Sequence, residues 1–220
     1  MTDGVLQLLP ALALAALAAR LWLRARRAER ELVVRGRRQH ELVTEMARLA
    51  ERDPLTGLAN RRVFDRELRQ LSTTGAQGAL VVIDLDGFKQ VNDRYGHQRG
   101  DAVLRDVARE LRRRVRVGDV VARLGGDEFA VVLRGADPER AEAVGADLRA
   151  GVRDVCAALP LRVPVDASVG IAPIGSGDDG AAELVARADA AMYSVKHARR
   201  VARSRRRRFR GAEHPELSSR

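Results

Sequence analysis

The sequence predicts an α/β fold, an α+β sandwich in which helices flank a mixed central sheet. Short apolar runs and amphipathic helical segments alternate over residues 51–198 without an internal repeat, and elements that interleave in this way form a sheet with helices packed on it. Aromatic residues make up only 3% of the chain, so we expect Val, Leu, Ile and Ala to fill the core. The single cysteine, Cys156, excludes an intramolecular disulfide framework and a multi-thiolate metal site.

The elements are predicted in the order strand, helix, hairpin, helix, strand, helix. A Val-rich apolar run predicts a buried strand over residues 79–85, and apolar residues on one helical face predict a helix over residues 102–115. The turn GGDE at residues 125–128 joins two short apolar runs and predicts a β-hairpin, because glycine accepts positive φ at the tip. The remaining elements are hairpin strands at 120–124 and 129–133, helices at 138–159 and 181–197, and a strand at 163–171.

An apolar run of 19 residues, 5–23, predicts a transmembrane anchor within residues 1–23. A helix of this length spans about 30 Å of hydrocarbon, and Arg20 near its end can snorkel to the headgroups. Four arginines follow within residues 24–30, so the positive-inside rule keeps the rest of the chain in the cytoplasm. We therefore expect a single-pass protein of the inner, or cell, membrane with a cytoplasmic domain. The alternative is a soluble helix packed on a partner.

Two further segments flank the predicted domain, which covers residues 52–202. Residues 24–51 predict a helical, coiled-coil-like linker with weak heptad spacing, which favours parallel pairing of two copies. The alternative for this linker is an amphipathic helix that packs on its own domain. Residues 203–220 predict a basic, disordered tail, because residues 199–210 contain 8 arginines. Solvation of this tail is the main interpretation, and contact with anionic lipid is the alternative.

The net charge of +10 belongs to the two ends of the chain. Residues 1–50 carry a net charge of +4 and residues 199–220 carry +7, whereas residues 51–198 carry −1. A nucleic-acid-binding fold usually has its basic footprint on the folded face itself. We therefore expect no specific nucleic-acid partner.

Carboxylates converge at one edge of the predicted sheet. Asp84 and Asp86 end the first buried strand, and Asp127 and Glu128 occupy the tip of the hairpin. If the hairpin lies beside that strand, three or four like charges meet there, and a cation stabilises such an arrangement. Hard carboxylate oxygens select Mg²⁺, which keeps part of its coordination shell for substrate phosphate. The pattern predicts a nucleoside triphosphate site that stabilises attack at phosphorus; helix capping or a solvated turn is the alternative, and it suits Asp86 better than Asp84.

Five ordered motifs extend over residues 52–200. They are DPLTGLANRR at 53–62, DLDGFK at 84–89 with its continuation to Asp101, RLGGDEF at 123–129, SVGIA at 168–172 and ADAAMY at 188–193. Together they resemble the GGDEF domain, the family of diguanylate cyclases, whose fold is similar to the nucleotidyl cyclase and polymerase palm. A single Gly-Gly-Asp-Glu turn is weak evidence, but five motifs in the family's order are specific.

The resemblance implies that the protein joins two GTP molecules into cyclic di-GMP with release of two pyrophosphates. Two domains of a homodimer face each other, and each 3′-hydroxyl attacks the α-phosphorus of the other GTP. By position, Asp84, the Leu85 carbonyl and Asp127 hold the metal, which is Mg²⁺ with Mn²⁺ as the alternative. Asp127 and Glu128 are the catalytic residues, and Glu128 assists deprotonation of the attacking hydroxyl.

The resemblance also implies a substrate-binding set and an inhibitory product site. Its substrate-binding residues are Gly125 and Gly126, which leave the backbone open; Asn92 and Asp101 on the guanine edge; Phe88 and Lys89 along the phosphate path; and Lys196 and Arg200 on the terminal phosphates. The R-x-x-D spacing of Arg116 and Asp119 matches the family's product site, where cyclic di-GMP inhibits the enzyme; the alternative is a plain turn.

One segment departs from the family's pattern. After Lys196 the family usually continues to Gly-Arg-Asn, but Arg199, Arg200 and Val201 occupy those positions here. The last helix therefore lacks the glycine that commonly ends a helix, and we expect at most a modest effect on nucleotide affinity.

Two other functions are alternatives to the enzyme. The first is a non-catalytic receptor that binds GTP or cyclic di-GMP and signals by protein interaction. The second is a lipid-surface protein that acts through its arginine-rich ends. Receptors of this family usually carry a damaged signature, whereas Asp127 and Glu128 are both present here, and this favours the enzyme.

Overall fold

The structure, a computed structural model, describes residues 50–175 and 180–212, with side chains as far as Arg199, and separate positions between Arg20 and Met46. Residues 1–50 and 51–220 form two separate units. In the part of the chain that is described, no helix is both long enough and apolar enough to cross a bilayer. Most of the predicted anchor lies outside the described residues, as do the heptad positions of the linker other than the exposed Met46.

Five strands form one mixed sheet in the order β1-β3-β4-β2-β5. The pairs β3–β4, β4–β2 and β2–β5 are antiparallel, and β1 runs parallel to β3. This arrangement confirms the predicted mixed sheet and places β2 at its centre, between the hairpin and the last strand. The strands are β1 (Ala59–Asn60), β2 (Gly78–Asp86), β3 (Val120–Gly125), β4 (Glu128–Arg134) and β5 (Asp166–Ile174).

Within residues 50–175 and 180–212, four helices lie between strands, a fifth follows the last strand, and together they cover both faces of the sheet. They are α1 (Arg61–Thr74), α2 (Phe88–Tyr95), α3 (His97–Arg114), α4 (Pro138–Ala158) and α5 (Ala181–Ala212). Three of them correspond to predicted helices, but sequence reasoning missed α1 and α2. The signals for α1 are local: the Asn60 side chain accepts a hydrogen bond from the Val63 N–H at 3.2 Å, and Gly75 ends the helix in the left-handed region with φ 61°.

The alternation of side chains along β2 divides the core into two layers. Val81 and Ile83 face the layer that holds α2, α3 and α4, whereas Leu80 and Val82 face the layer that holds α1 and α5. Side chains two apart on a strand point to the same face. Asp84 therefore continues the α1/α5 face at the end of β2, where the candidate site lies.

The last helix is longer than the sequence predicts. The predicted tail begins at residue 203, but α5 continues to Ala212. Arg199 occupies the position at which the family's glycine would end the helix, and arginine is a good helix former. Residues 203–212 are therefore helical, in contrast to the predicted disordered tail, and residues 213–220 lie outside the described residues.

Candidate active site

The glycine-rich turn joins β3 to β4 as the predicted hairpin. Gly125 pairs with Glu128, so Gly126 and Asp127 form a two-residue turn, and the pairing shifts register between Arg123 and Gly125. Gly126 has φ 52°, in the left-handed region that favours glycine. An added Cβ at either glycine would meet no atom within 4 Å, so the space above the turn is open to a ligand.

The hairpin lies beside β2 and brings the predicted carboxylates together. Asp84 pairs with Glu128 in the antiparallel register of β2 and β4. The Leu85 N–H donates a hydrogen bond to the Asp127 carbonyl oxygen at 3.3 Å. The Asp84 side chain is 13% exposed and that of Glu128 is 53% exposed. Asp84 is therefore a fixed, mostly buried charge, whereas Glu128 projects into solvent.

Lys196, on α5, places a cation beside Asp84 in this cluster. Its Nζ donates a hydrogen bond to Asp84 Oδ2 at 2.5 Å. Partial burial lowers the pKa of Lys196, but the hydrogen bond to Asp84 and the charges of Asp84, Asp86 and Asp127 outweigh it, so the pKa lies above its usual value. Lys196 is therefore positively charged at neutral pH.

Asp127 lies in an environment that disfavours a second negative charge. Burial and the nearby charge of Asp84 raise the pKa of Asp127, while its own backbone N–H, Lys196 and Arg123 act in the opposite direction. A metal cation next to both carboxylates would remove this cost.

The donor set fits a hard divalent cation. It would consist of two carboxylates, Asp84 and Asp127, and the carbonyl of Leu85, all of them oxygen donors of the kind that Mg²⁺ prefers. Among the described residues, no group of three or more His, Cys, Asp and Glu side chains is arranged to hold a metal. Such a cation would therefore depend on a backbone oxygen and on oxygens from substrate.

The residues predicted to read guanine lie on α2 and α3. Gly100 is buried, and a Cβ there would overlap Asn92 Oδ1 and lie 3.1 Å from the ring of Phe88. Asn92 Oδ1 is itself buried and has no hydrogen-bond partner among the described residues. Buried polar atoms are usually paired, so this amide is suited to a donor from a ligand. Asp101, half-buried, follows Gly100 directly.

A family model described as "Diguanylate cyclase, GGDEF domain" matches residues 50–202. The chain belongs to the GGDEF domain family. The predicted resemblance is therefore confirmed, and it covers most of the unit, residues 51–220, that carries the acidic edge.

Relatives named as diguanylate cyclases support the same assignment. "Probable diguanylate cyclase DgcE" of Escherichia coli K12 is 40% identical over 162 residues, which cover 71% of this chain and 15% of that protein. "Diguanylate cyclase TpbB" of Pseudomonas aeruginosa UCBPP-PA14 is 42% identical over 167 residues, which cover 72% of this chain and 38% of that protein. This chain spans less than half the length of the curated relatives that it matches.

Two crystal structures resemble the structure of this chain over most of its length. The coiled coil and GGDEF domain of DgcB from Caulobacter crescentus, in complex with c-di-GMP, has a TM-score of 0.67 at 33% identity, and the match covers 80% of this chain and 95% of that chain. Diguanylate cyclase SiaD from Pseudomonas aeruginosa, in complex with its activator SiaC, has a TM-score of 0.66 at 33% identity, and the match covers 90% of this chain and 78% of that chain.

The predicted phosphate path includes the segment where β2 turns into α2. Gly87 caps α2 with φ 91°, and a Cβ there would lie 2.7 Å from the Pro164 carbonyl oxygen. The ring of Phe88 is buried in the core and Lys89 is exposed. Burial of the Phe88 ring does not favour a contact with phosphate, so its role along the path stays a prediction. The backbone N–H groups at the start of α2 are the alternative anion-binding groups of this segment.

The remaining phosphate-binding prediction concerns α5. Lys196 reaches the acidic edge from this helix, as its contact with Asp84 shows. The side chain of Arg200 lies outside the described residues, so its role stays a prediction.

Sequence reasoning missed an arginine next to Glu128. Arg61, the first residue of α1, donates from Nε to the Leu124 carbonyl oxygen at 3.2 Å, and its Nη2 lies 3.9 Å from Glu128 Oε2. The available signal was its place in the motif at residues 53–62, directly after the helix-capping Asn60. Arg61 adds a positive charge to the open side of the glycine-rich turn.

The two residues of the predicted inhibitory site, Arg116 and Asp119, differ in their exposure to solvent. Arg116 is exposed, whereas Asp119 is 4% exposed and accepts a hydrogen bond from the Arg134 N–H at 3.1 Å. Asp119 Oδ2 lies 3.8 Å from Arg116 Nε and 3.5 Å from Nη2 of Arg140, a residue that sequence reasoning missed. Asp119 is therefore a buried anchor between two guanidinium groups, and Arg116 is the member of the motif that a ligand can reach.

Proposed function

We propose that this protein is a diguanylate cyclase that condenses two GTP molecules into cyclic di-GMP and two pyrophosphates. The observation that carries the proposal is the convergence of Asp84, Asp127 and Glu128 at one edge of the sheet. Lys196 adds a cation at the same edge. An acidic edge beside an open glycine turn suits metal-assisted phosphoryl transfer, in which positioning and charge stabilisation supply most of the catalysis.

The roles that we propose for the acidic residues follow from the exposure of their side chains. Asp84 and Asp127, with the Leu85 carbonyl, would hold Mg²⁺, or Mn²⁺ as the alternative. The bound metal would neutralise charge on the reacting phosphate and favour ionisation of the attacking hydroxyl. Glu128 is exposed enough to accept the proton of a 3′-hydroxyl presented from the opposite domain.

Two other groups of residues would bind the substrate. Asn92 and Asp101 would accept hydrogen bonds from the guanine edge. The N-terminus of α2, Lys89 and Lys196 would bind the phosphates, since a helix N-terminus and an ammonium group both attract anions.

A single domain supplies half of this reaction, so we infer that the active species is a homodimer. A helical linker over residues 24–51 would raise the effective concentration of the two domains. The crystal structure named for the coiled coil and GGDEF domain of DgcB supports this arrangement. Anchoring of residues 1–23 in the cell membrane, with the domain in the cytoplasm, belongs to the same proposal.

We also propose regulation by product and by a partner. Cyclic di-GMP would bind at Arg116 and Asp119 and inhibit the enzyme. An activator protein is a further candidate partner, because SiaD was crystallised with its activator SiaC.

The experiment uses the full chain in detergent, incubated with GTP and Mg²⁺, with chromatographic detection of cyclic di-GMP and pyrophosphate. We expect turnover that falls by about a hundredfold or more in Glu128→Gln, since general acid–base groups contribute about this much. Glu142→Gln, an exposed carboxylate on α4, is the matched control and should keep full activity. Tight binding of GTP or cyclic di-GMP by a folded wild-type protein without turnover would contradict the proposal and favour the receptor.

A further inference from the structure

Arg199 ties the last helix to the site end of the sheet. Its Nη1 donates a hydrogen bond to the Ala167 carbonyl oxygen at 2.5 Å and lies 3.5 Å from Asp86 Oδ2. The same nitrogen lies 3.9 Å from Asp166 Oδ2. One guanidinium group therefore contacts the C-terminal end of β2 and the N-terminal end of β5.

The partners of Arg199 surround the residues predicted to hold the metal. Ala167 pairs with Leu85, and Asp166 pairs with Asp86, in the register of β2 and β5. Ser168, which pairs with Asp84, also donates a hydrogen bond to Asp86 Oδ2 at 2.7 Å. Arg199 thus contacts the strand segments directly next to Leu85.

Arg199 and Lys196 form two parallel links between α5 and β2. They lie three residues apart on the helix, so they are neighbours on one face. Their acidic partners, Asp84 and Asp86, lie two residues apart on one face of the strand. Sliding or rotation of α5 would break both links together, so the contact of Arg199 fixes the helix register that carries Lys196 to Asp84.

We propose that Arg199 is a positioning residue of the nucleotide site, which acts by holding Lys196 over the acidic edge. The proposal rests on the proposed function, because Lys196 matters only if a nucleoside triphosphate binds there. It also gives the departure from the family's Gly-Arg-Asn pattern a role: a glycine at this position could make none of these contacts.

The fold does not depend on Arg199 alone. Arg149, on α4, donates to Asp166 Oδ2 at 2.7 Å and to the Ala167 carbonyl oxygen at 3.2 Å. The Ser168 hydroxyl still donates its hydrogen bond to Asp86 Oδ2 when Arg199 is replaced. Arg199→Ala therefore leaves no buried carboxylate without a partner, and we expect the variant to fold.

The test is a double-mutant cycle on the full chain with Arg199→Ala, Lys196→Ala and the double variant. The measured quantity is the affinity for 3′-deoxy-GTP with Mg²⁺, by calorimetry, because this nucleotide lacks the attacking hydroxyl and does not turn over. We expect Arg199→Ala to weaken binding about fivefold, as the loss of one charge-assisted contact would. In the Lys196→Ala background, Arg199→Ala should weaken the affinity for 3′-deoxy-GTP by less than about twofold, because the effects of two residues that act through each other are not additive.

Arg187→Ala is the matched control. Arg187 lies on the same helix and donates to another β5 carbonyl, that of Pro173, at 2.5 Å. Pro173 pairs with Ala79, at the opposite end of β2 from Asp84. This control should lower the melting temperature about as much as Arg199→Ala but leave the affinity for 3′-deoxy-GTP unchanged.

Steady-state kinetics provide a second readout. Because Lys196 would bind phosphates in the ground state, Arg199→Ala should raise KM for GTP and leave kcat within about twofold. Equal effects of Arg199→Ala with and without Lys196, or an equal loss of affinity in Arg187→Ala, would overturn the positioning role. Failure of the wild-type protein to bind 3′-deoxy-GTP at all would instead overturn the proposed function, and this inference with it.

Discussion

Arg123 binds Asp53 across 70 positions of sequence and so connects the entrance of the domain to the glycine-rich turn of the hairpin. Its Nη1 lies 3.1 and 3.2 Å from the two carboxylate oxygens of Asp53. Its Nε and Nη2 donate to the Gly126 carbonyl oxygen at 3.0 and 2.8 Å. Both side chains of the ion pair are largely buried, at 13% and 16% exposure. A displacement of the chain that enters the domain would therefore be transmitted to the turn that carries Asp127.

We expect Asp53→Asn to lower the free energy of unfolding by about 1 kcal/mol at neutral pH. Burial raises the pKa of Asp53, but the hydrogen bonds from Thr56 and Arg123 outweigh it and hold the pKa below its usual value. A depressed carboxyl pKa contributes stability above the pKa of the unfolded state, and that stability is lost as the pH falls through the folded-state pKa.

Urea denaturation over a series of pH values measures this effect. The difference between wild type and Asp53→Asn should be complete near neutral pH, begin to shrink near the unfolded-state pKa of about 4 and disappear only below the lower folded-state pKa. Glu142→Gln removes an exposed carboxylate on α4 and should leave stability unchanged. A difference for Asp53→Asn that does not vary with pH would contradict the ion-pair explanation.

Asp127→Asn should remove activity but raise the stability of the metal-free protein. Burial and the charge of Asp84 raise the pKa of Asp127. The stability contributed by this group is therefore present below the unfolded-state pKa and is lost as the pH rises through the folded-state pKa. At neutral pH in EDTA, the asparagine variant should melt about 2 °C above wild type.

Thermal melts with and without Mg²⁺ test whether the Asp127 carboxylate binds the metal. Added Mg²⁺ should stabilise the wild type, because ligands that bind only the folded state raise its stability, but it should have little effect on Asp127→Asn. Asp93→Asn, an exposed carboxylate on α2, is the control and should respond to Mg²⁺ like the wild type. An equal response to Mg²⁺ in Asp127→Asn would show that this carboxylate is not a ligand.

Gly100→Ala should impair recognition of guanine. The new methyl group would overlap Asn92 Oδ1 and force that side chain away from its position. Loss of one hydrogen bond to the base, with a displaced amide, should weaken GTP binding about tenfold and reduce its preference over ATP. Gly175→Ala, where an added Cβ meets no atom within 4 Å, is the control for calorimetric binding of the two nucleotides. Unchanged selectivity in Gly100→Ala would exclude Asn92 from the base-binding site.

Arg116 and Arg140 should differ in their effects although both lie beside Asp119. Arg116 is exposed, so Arg116→Ala should leave the melting temperature unchanged and abolish the slowing of the reaction as product accumulates. Arg140 is mostly buried against the buried carboxylate, and Arg140→Ala should lower stability by about 1–2 kcal/mol. Arg153→Ala, an exposed arginine on the same helix, is the stability control. Progress curves of Arg116→Ala that still slow as wild type does would rule out the inhibitory role.

Catalysis should depend on the pairing of two domains, because each domain supplies one half of the reaction. The specific activity of the full chain should stay nearly constant on dilution if the linker pairs two copies. Removal of residues 1–50, which form a unit separate from the domain, should make specific activity fall on dilution and recover at high concentration. Equal specific activity of both proteins at every dilution would contradict the pairing role of the linker.

Local patterns in the sequence were enough to predict the central elements and the acidic edge. The apolar run before Asp84, the glycines at the tip of the hairpin and the strict alternation of side chains act over a few residues. Antiparallel pairing of a hairpin with β2 then places Asp84 opposite Glu128. The short helix α2 was missed because its eight residues contain little periodic signal.

The tertiary structure decided which long side chains complete the site. Arg61 reaches Leu124, Arg140 reaches Asp119, and Arg199 reaches Asp86 only after the sheet has formed. In a chain with so many arginines, composition cannot distinguish these from solvated ones. The sequence by itself determined the fold class, the hairpin and the carboxylates, since these follow from local turn chemistry and periodicity. Only the folded structure selected the arginines that support them, because such contacts join residues far apart in sequence and depend on the packing of helices against the sheet.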